Sequence, residues 1–197
     1  TPFRAKGICS TEGQRHSTAD AVCGIFLRAT SCQAVYGGID AMIHTSRQLK
    51  ALVRNRSHGD STKAQIIIRH YVMERFLERL SLSVHRNHLV LKGGTLISAI
   101  VGLDTRTTMD IDASLRNKLL TVDEAQRICL DVASVAISDG ISFALVSADT
   151  IMDEAEYPGV RVVMNASLES MLTPLNIDFS TGDAITPREI SYAYPLL

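Results

Sequence analysis

The chain has 197 residues, of which 46% are hydrophobic and 21% are charged, and its formal net charge is −1. This length and composition are typical of a globular protein of one to one and a half domains with a real hydrophobic core, which excludes a disordered chain. No apolar run approaches the roughly 20 residues of a membrane-spanning helix, so we expect no membrane span.

The charges are unevenly distributed along the chain. Residues 41–92 hold ten Lys or Arg against three Asp or Glu, whereas residues 103–156 hold eleven acidic residues against four basic ones. A basic segment of this kind could meet a nucleic acid or an acidic partner protein. The alternative interpretation is that these charges are the solvated faces of two helices, and the sequence leaves both open.

Residues 1–41 show no steady hydrophobic period, because Gly, Ser, Thr and Cys are scattered through them. We predict an extension that is poorly ordered or loosely packed, followed by a domain that covers residues 42–197. The apolar run at 21–27 is broken by Arg28 and lies late for a signal peptide, which argues against secretion. The four cysteines lack C-x-x-C spacing, so we expect free thiols in a cytoplasmic protein.

Two helices are predicted next. Thr45 or Ser46 can cap the first, which ends near residues 57–60, where the sequence reads Ser-His-Gly-Asp. Ser61 can cap the second, whose apolar residues recur at helical spacing until about Leu82. We expect both helices to cover one face of a sheet.

A short strand at 88–91 follows, and after it comes the glycine pair Gly93-Gly94. A short helix is predicted from Gly94 to residue 101, ended by Gly102. Bare glycine backbone lets a phosphate approach closely, and a helix start offers free N–H groups and a positive end. The alternative is a tight strand-to-helix turn without a ligand.

The next predicted strand, residues 107–114, carries Asp110 and Asp112. Residues i and i+2 of a strand point to the same face, so the two carboxylates lie side by side while Ile111 is buried behind them. Neighbouring carboxylates repel unless a cation sits between them, and Mg²⁺ prefers oxygen ligands. The alternative is that both are exposed residues at a strand end.

The capping box Thr121-x-x-Glu124 opens a helix that stops at Asp139-Gly140. Three further strands are predicted at 141–147, 159–168 and 171–179. The short link Glu169-Ser170 predicts a hairpin that delivers Asp178 beside the first two carboxylates.

Three residues near the glycine pair have open roles. Thr95 lies near the predicted helix start and could contact a phosphate. Lys92 could reach a triphosphate, or could simply solvate a strand edge. Arg106 could neutralise a phosphate or pair with Asp104.

Three separated segments together resemble the nucleotidyltransferase superfamily, and in particular its AbiEii/AbiGii toxin branch. They read Leu-Lys-Gly-Gly-Thr at 91–95, Asp-Thr-Arg-Thr-Thr-Met-Asp-Ile-Asp at 104–112, and Leu-Asn-Ile-Asp-Phe-Ser-Thr-Gly-Asp-Ala-Ile-Thr-Pro at 175–187. The resemblance covers about residues 42–197. It implies an α/β (α+β) fold, with a nucleotidyltransferase-like mixed β-sheet flanked by helices and an N-terminal helical pair, and it makes Asp178 the third carboxylate of the metal site.

The resemblance also implies a reaction. The nucleoside monophosphate of an NTP passes to a hydroxyl acceptor, and two Mg²⁺ ions about 3.5 to 4 Å apart are held by Asp110, Asp112 and Asp178. Lys92, Gly93, Gly94, Thr95 and Arg106 are the candidate nucleotide-binding residues. The family further implies a toxin of a toxin–antitoxin or abortive-infection pair, with tRNA or another nucleic acid as acceptor and a cognate antitoxin as partner.

One departure from the family keeps an alternative open. The family continues into a helical C-terminal half with a further Lys and Asp in the active site, whereas this sequence stops at Leu197. The chain is then either a fragment that holds the catalytic core alone or a catalytically inactive nucleotide-binding or protein-interaction module of the same fold. A structural α/β domain that binds neither metal nor NTP is the third possibility.

Overall fold

The computed structural model of the chain describes residues 25–27, 42–92, 110–151, 159–182 and 190–192. The helices within these residues are α1 (Ser46–Ser57), α2 (Ser61–Leu82) and α3 (Val122–Ala133). The strands are β1 (Ile25–Leu27), β2 (Leu89–Lys92), β3 (Asp110–Leu115), β4 (Ile141–Ile151), β5 (Gly159–Leu168), β6 (Met171–Ser180) and β7 (Ile190–Tyr192). None of the helices in this part of the chain combines the length and apolar character that a membrane crossing requires.

The strands form one mixed sheet in the order β4-β5-β6-β3-β2-β1-β7. Strand β3 is parallel to β6 and antiparallel to β2, and β5 is antiparallel to both β4 and β6. At the other end, β1 is antiparallel to β2 and parallel to β7. The prediction of a mixed sheet with helices beside it is confirmed.

The sheet has one packed face and one face that is partly open to solvent. Along β5 the side chains of Val160, Val162 and Met164 are buried, and the residues between them are only partly buried. The same alternation runs along β6, where Ile177 and Phe179 are 1% and 2% exposed. Because side chains alternate between faces, the polar residues that separate these apolar ones share the open face.

The N-terminal helical pair begins with two well-formed caps. Thr45 caps α1 in a capping box with Gln48. At α2 the cap is Asp60, whose Oδ1 accepts hydrogen bonds from the N–H groups of Thr62 and Lys63 at 2.8 and 3.0 Å. The prediction that Ser61 caps α2 is wrong by one residue, since the carboxylate of Asp60 can satisfy two free N–H groups.

Helix α2 is largely buried from His70 to Ser81, and some of its charged residues are buried there. Arg79 is 2% exposed, and its guanidinium donates two hydrogen bonds of 2.7 and 2.8 Å to the fully buried carboxylate of Asp139. It also donates to the carbonyl oxygen of Ile141 at 2.9 Å. The charge of Arg79 is therefore satisfied inside the protein, so it belongs neither to a solvated helix face nor to a surface for partners.

Several predicted boundaries shift. Helix α3 ends at Ala133 instead of continuing toward Asp139, and β2 begins one residue later than predicted. Strand β4 continues past the predicted end at 147 to Ile151, through a register irregularity between Leu145 and Ser147. Strand β1 was not expected, and the predicted helix at 94–101 lies outside the described residues.

Cys129 of α3 is a free thiol that is fully buried. Burial raises the pKa of this thiol to about 12, because an apolar environment disfavours the thiolate. The prediction of a free thiol therefore holds for Cys129, and its surroundings make it a core residue without nucleophilic character.

Candidate active site

The parallel pairing of β3 with β6 brings the three predicted carboxylates onto the open face of the sheet. Asp112 is the register partner of Asp178, and Asp110 is the partner of Asn176. Paired strands lie about 4.8 Å apart, so the side chains of Asp112 and Asp178 are direct neighbours. Ile111, between the two aspartates of β3, points to the packed face and is 1% exposed.

A row of charged side chains runs across four neighbouring strands of the sheet. Lys92 of β2 is the partner of Asp112, Asp112 of Asp178, and Asp178 of Arg161 on β5. The two carboxylates in the middle are thus flanked by one cation on each side. This arrangement offsets the repulsion that two adjacent carboxylates would otherwise produce.

Arg161 binds the carboxylate of Asp178 through two hydrogen bonds. Its Nε donates to Asp178 Oδ1 at 2.7 Å and its Nη2 to Asp178 Oδ2 at 2.6 Å. The same Nη2 lies 3.9 Å from Asp110 Oδ2. The hydrogen bonds to Asp178 and the negative charge of that carboxylate raise the pKa of Arg161 further above its ordinary value. One guanidinium group therefore reaches carboxylates on two neighbouring strands.

Polar neighbours orient the other side chains of the site. Asn176 donates from Nδ2 to Asp110 Oδ1 at 3.0 Å. Lys92 donates from Nζ to the hydroxyl of Ser180 at 2.5 Å, so its side chain extends across β3 to β6. Strand β2 lies inside the sheet between β3 and β1. The strand-edge interpretation of Lys92 is therefore wrong, and its ammonium group lies on the carboxylate face.

The remaining predicted site residues are not in the part of the chain that the structure describes. Gly93, Gly94, Thr95 and Arg106 all fall in the range 93–109. Their assignment as nucleotide-binding residues stays a prediction. The choice between a phosphate and Asp104 as the partner of Arg106 also stays open.

The side chains that are present suit a hard divalent cation in their chemistry. Asp110, Asp112 and Asp178 offer only oxygen donors, and the guanidinium of Arg161 already marks this position as one that attracts positive charge. Within the described residues, however, no three Asp, Glu, His or Cys side chains converge into a ready-made metal site. Both oxygens of Asp178 instead face Arg161.

Arg161, Asn176 and Ser180 were not predicted as part of the site. The register of the β5–β6 hairpin would have predicted the position of Arg161. With Glu169 and Ser170 as the turn, Leu168 pairs with Met171, and counting outward pairs Arg161 with Asp178. An arginine opposite a predicted metal ligand could thus have been found from the turn alone.

The chain matches the model of a known protein family. The family model described as the nucleotidyl transferase AbiEii toxin of a type IV toxin–antitoxin system matches residues 75–197, which begin within α2 and include β3, β5 and β6. No curated protein matches the chain.

Two solved structures are similar, namely a proposed nucleotidyltransferase from H. pylori and JHP933 from Helicobacter pylori. Each is 19% identical with a TM-score of 0.40, and each match covers 65% of this chain and 54% or 52% of the other. The chain thus spans about half the length of these two proteins. Because the family model matches more than half of the chain, the protein belongs to the AbiEii nucleotidyltransferase toxin family.

Proposed function

We propose that this protein transfers the nucleoside monophosphate of an NTP to a hydroxyl group of an acceptor, in a metal-dependent reaction. The observation that carries the proposal is the register of β3 and β6, which gathers Asp110, Asp112 and Asp178 on the open face of the sheet. The family match supports the same reaction class. The reaction needs little covalent chemistry from the protein, so positioning and charge neutralisation account for most of the catalysis.

Asp110, Asp112 and Asp178 would hold Mg²⁺, in a site for two ions. Bound Mg²⁺ supplies positive charge to the triphosphate and makes the acceptor hydroxyl more acidic. Asn176 holds Asp110 in place through the 3.0 Å hydrogen bond to Oδ1. Asp112 lies between Lys92 and Asp178 in the row, at the centre of the site.

Lys92 is our candidate for binding the triphosphate from the protein side. Its ammonium group crosses β3 on the carboxylate face, and Gly93 and Gly94 follow it directly in sequence. Thr95 and Arg106 complete the proposed nucleotide-binding set. A cation beside two carboxylates would hold the anionic phosphates against the metal ions.

Helix α1 supports a polyanionic acceptor such as tRNA. It contains no Asp or Glu, and Arg47, Lys50 and Arg54 are exposed along one side of it. Its first residue contacts Glu169 at the β5–β6 turn, and Asp178 lies roughly 25 Å further along β6. An acceptor that contacts both regions must be large, which suits a folded RNA. We further propose that the protein acts in the cytoplasm as the toxin of a pair with a cognate antitoxin.

Label transfer tests this proposal. Wild-type protein incubated with α-labelled NTPs, Mg²⁺ and bacterial RNA should move label onto RNA, because the α-phosphorus travels with the nucleoside. Asp112→Asn should lower the rate at least about a hundredfold, since one metal ligand loses its charge. Asp123→Asn, at an exposed position of α3, is the matched control and should keep wild-type transfer.

Retention of transfer in Asp112→Asn, with a circular dichroism spectrum like that of the wild type, would contradict the assignment of the carboxylates. Absence of transfer from every NTP in the wild type would favour the second candidate, an inactive nucleotide-binding or protein-interaction module. One observation favours that candidate, namely that both oxygens of Asp178 are engaged by Arg161. Mg²⁺-dependent NTP binding in calorimetry without any transfer would be its signature.

A further inference from the structure

Arg161 engages Asp178 in a way that conflicts with metal binding by the same carboxylate. The two hydrogen bonds of 2.7 and 2.6 Å occupy both carboxylate oxygens in a fork, the geometry in which arginine binds carboxylates most strongly. A cation that takes Asp178 as a ligand must displace at least one of these bonds. Arg161 and a divalent cation therefore compete for one side chain.

The contact is not needed to join the two strands. Strands β5 and β6 already pair along nine consecutive register positions, from Val160 opposite Phe179 to Leu168 opposite Met171. Arg161 is also 41% exposed, so it is not a packing element of the core. Its Nη2 reaches toward Asp110 as well, which places its positive charge between the carboxylates of β3 and β6.

A second carboxylate lies on the other side of Arg161. Asp149 of β4 is its register partner there, and it is exposed. Directly opposed residues of an antiparallel pair point to the same face. An arginine that leaves Asp178 thus has an acidic neighbour within reach on the open face, and its charge need not remain unpartnered.

We propose that Arg161 is a positioning residue that acts as an internal cation: it holds Asp178 through the fork and yields this carboxylate to the divalent metal, turning toward Asp149. This inference rests on the proposed metal-dependent function. The proposed function concerns whether transfer occurs, whereas this inference concerns how tightly the site binds a metal ion.

Mn²⁺ titration by calorimetry on the full chain, without nucleotide, tests the competition. Arg161→Gln removes the competitor and should tighten Mn²⁺ binding by roughly threefold to tenfold, the range expected for displacing a partly exposed charged pair. Arg161→Lys keeps the charge but replaces the fork with a single point donor, so its affinity should fall between those of Arg161→Gln and the wild type.

The chain offers a matched control in Arg127. Its guanidinium also forms a fork with a carboxylate, that of Glu124 on α3, at 2.6 to 3.0 Å, and it is likewise exposed. Arg127→Gln should leave the Mn²⁺ affinity at the wild-type value. Equal affinity in Arg161→Gln and the wild type, or weaker affinity in Arg161→Gln, would overturn the inference.

A measurement on the wild type tests the competition without comparing metal affinities between variants. The Nε–H groups of Arg161 and Arg127 both donate to carboxylates, and each gives a proton–nitrogen NMR signal that the variants assign. Mg²⁺ should shift the Arg161 signal and leave that of Arg127 in place. An Arg161 signal that stays fixed at saturating Mg²⁺ would overturn the inference.

The outcomes separate the inference from the proposed function. Tighter Mn²⁺ binding in Arg161→Gln without any nucleotide transfer by the wild type would support the inference and contradict the function. Transfer by the wild type with an unchanged Mn²⁺ affinity in Arg161→Gln would do the reverse. No Mn²⁺ binding by either protein would overturn both.

Discussion

Arg161 lies seventeen residues from Asp178 in the sequence and contacts it directly in the fold. Asp110 and Asp112 could be predicted because their period-two spacing is a local signal, whereas Asp178 was assigned as the third carboxylate through the resemblance to the family. Arg161 has no signal of this kind along the chain. Its role follows only when the two strands are placed in register, which requires the turn to be identified first.

The candidate nucleotide-binding residues rest on different kinds of observation. Lys92 reaches the carboxylate face from an interior strand, which its sequence neighbours did not indicate. The glycine pair with Thr95 and Arg106 depends on the resemblance and on general properties of glycine backbone. These four positions therefore remain predictions that substitution must test.

The buried pair of Arg79 and Asp139 leads to a prediction about stability. Asp139→Asn should lower the free energy of unfolding by about 3 to 5 kcal/mol, because it leaves the guanidinium of Arg79 buried without a countercharge. Asp139 also accepts a hydrogen bond from the N–H of Ile141 at 3.0 Å, so the start of β4 should loosen as well. Urea unfolding followed by circular dichroism measures the loss.

A double variant provides the control for this pair. Arg79→Met combined with Asp139→Leu removes both charges, so it should cost clearly less than Asp139→Asn alone. A loss below about 1 kcal/mol in Asp139→Asn would contradict the interpretation, since such values are typical of exposed ion pairs.

The bounds of helices and strands are predicted best where the hydrophobic pattern of the sequence is long and uninterrupted. The bounds of α2 agree with the predicted end near Leu82, and the β5–β6 hairpin lies where the short polar link indicated. Strand β4 runs longer than predicted because its alternation is interrupted at the irregularity after Leu145. A strict period-two pattern ends at such a point although the strand does not.

Strand β1 could not be predicted from a local sequence pattern. It has three residues, and its partner in β2, paired as Ile25 with Leu91, lies far along the chain. A strand this short carries too few residues for a periodic signal, so only its pairing identifies it. The apolar run at 21–27 was its one visible trace in the sequence.

The start of α1 is joined to the β5–β6 turn by Glu169, which yields a pH prediction. Glu169 accepts hydrogen bonds from the hydroxyl and the N–H of Ser46 at 2.5 and 3.1 Å, and these bonds hold its pKa below the ordinary 4.5. Its contribution to stability is therefore present above about pH 4.5 and is lost as the pH falls through the lower folded value.

Glu169→Gln should accordingly lower the melting temperature at neutral pH, and the difference from the wild type should shrink toward zero as the pH falls below 4.5 and through the lowered pKa of Glu169. Ser46→Ala and the double variant complete a cycle that isolates the pair. A difference in melting temperature that stays constant from about pH 7 to pH 3 would show that the charge of Glu169 contributes nothing.

The two faces of the sheet differ across the whole molecule. One face is packed with apolar side chains from β5, β6 and α2, and the other presents the charged row from Lys92 to Arg161. The overall charge asymmetry of the sequence did not predict this division. Part of the basic segment is internal, since Arg75 and Arg79 of α2 are buried.

The proposed reaction requires Asp178 to share one cation site with Asp110 and Asp112 across the parallel pairing of β3 and β6. Mn²⁺ titration by calorimetry on Asp178→Asn, beside Asp112→Asn and the wild type, tests this most directly. We predict that both variants lose at least about tenfold in affinity, because each removes one charged ligand of the same site. Wild-type affinity in Asp178→Asn, together with a loss in Asp112→Asn, would contradict the account.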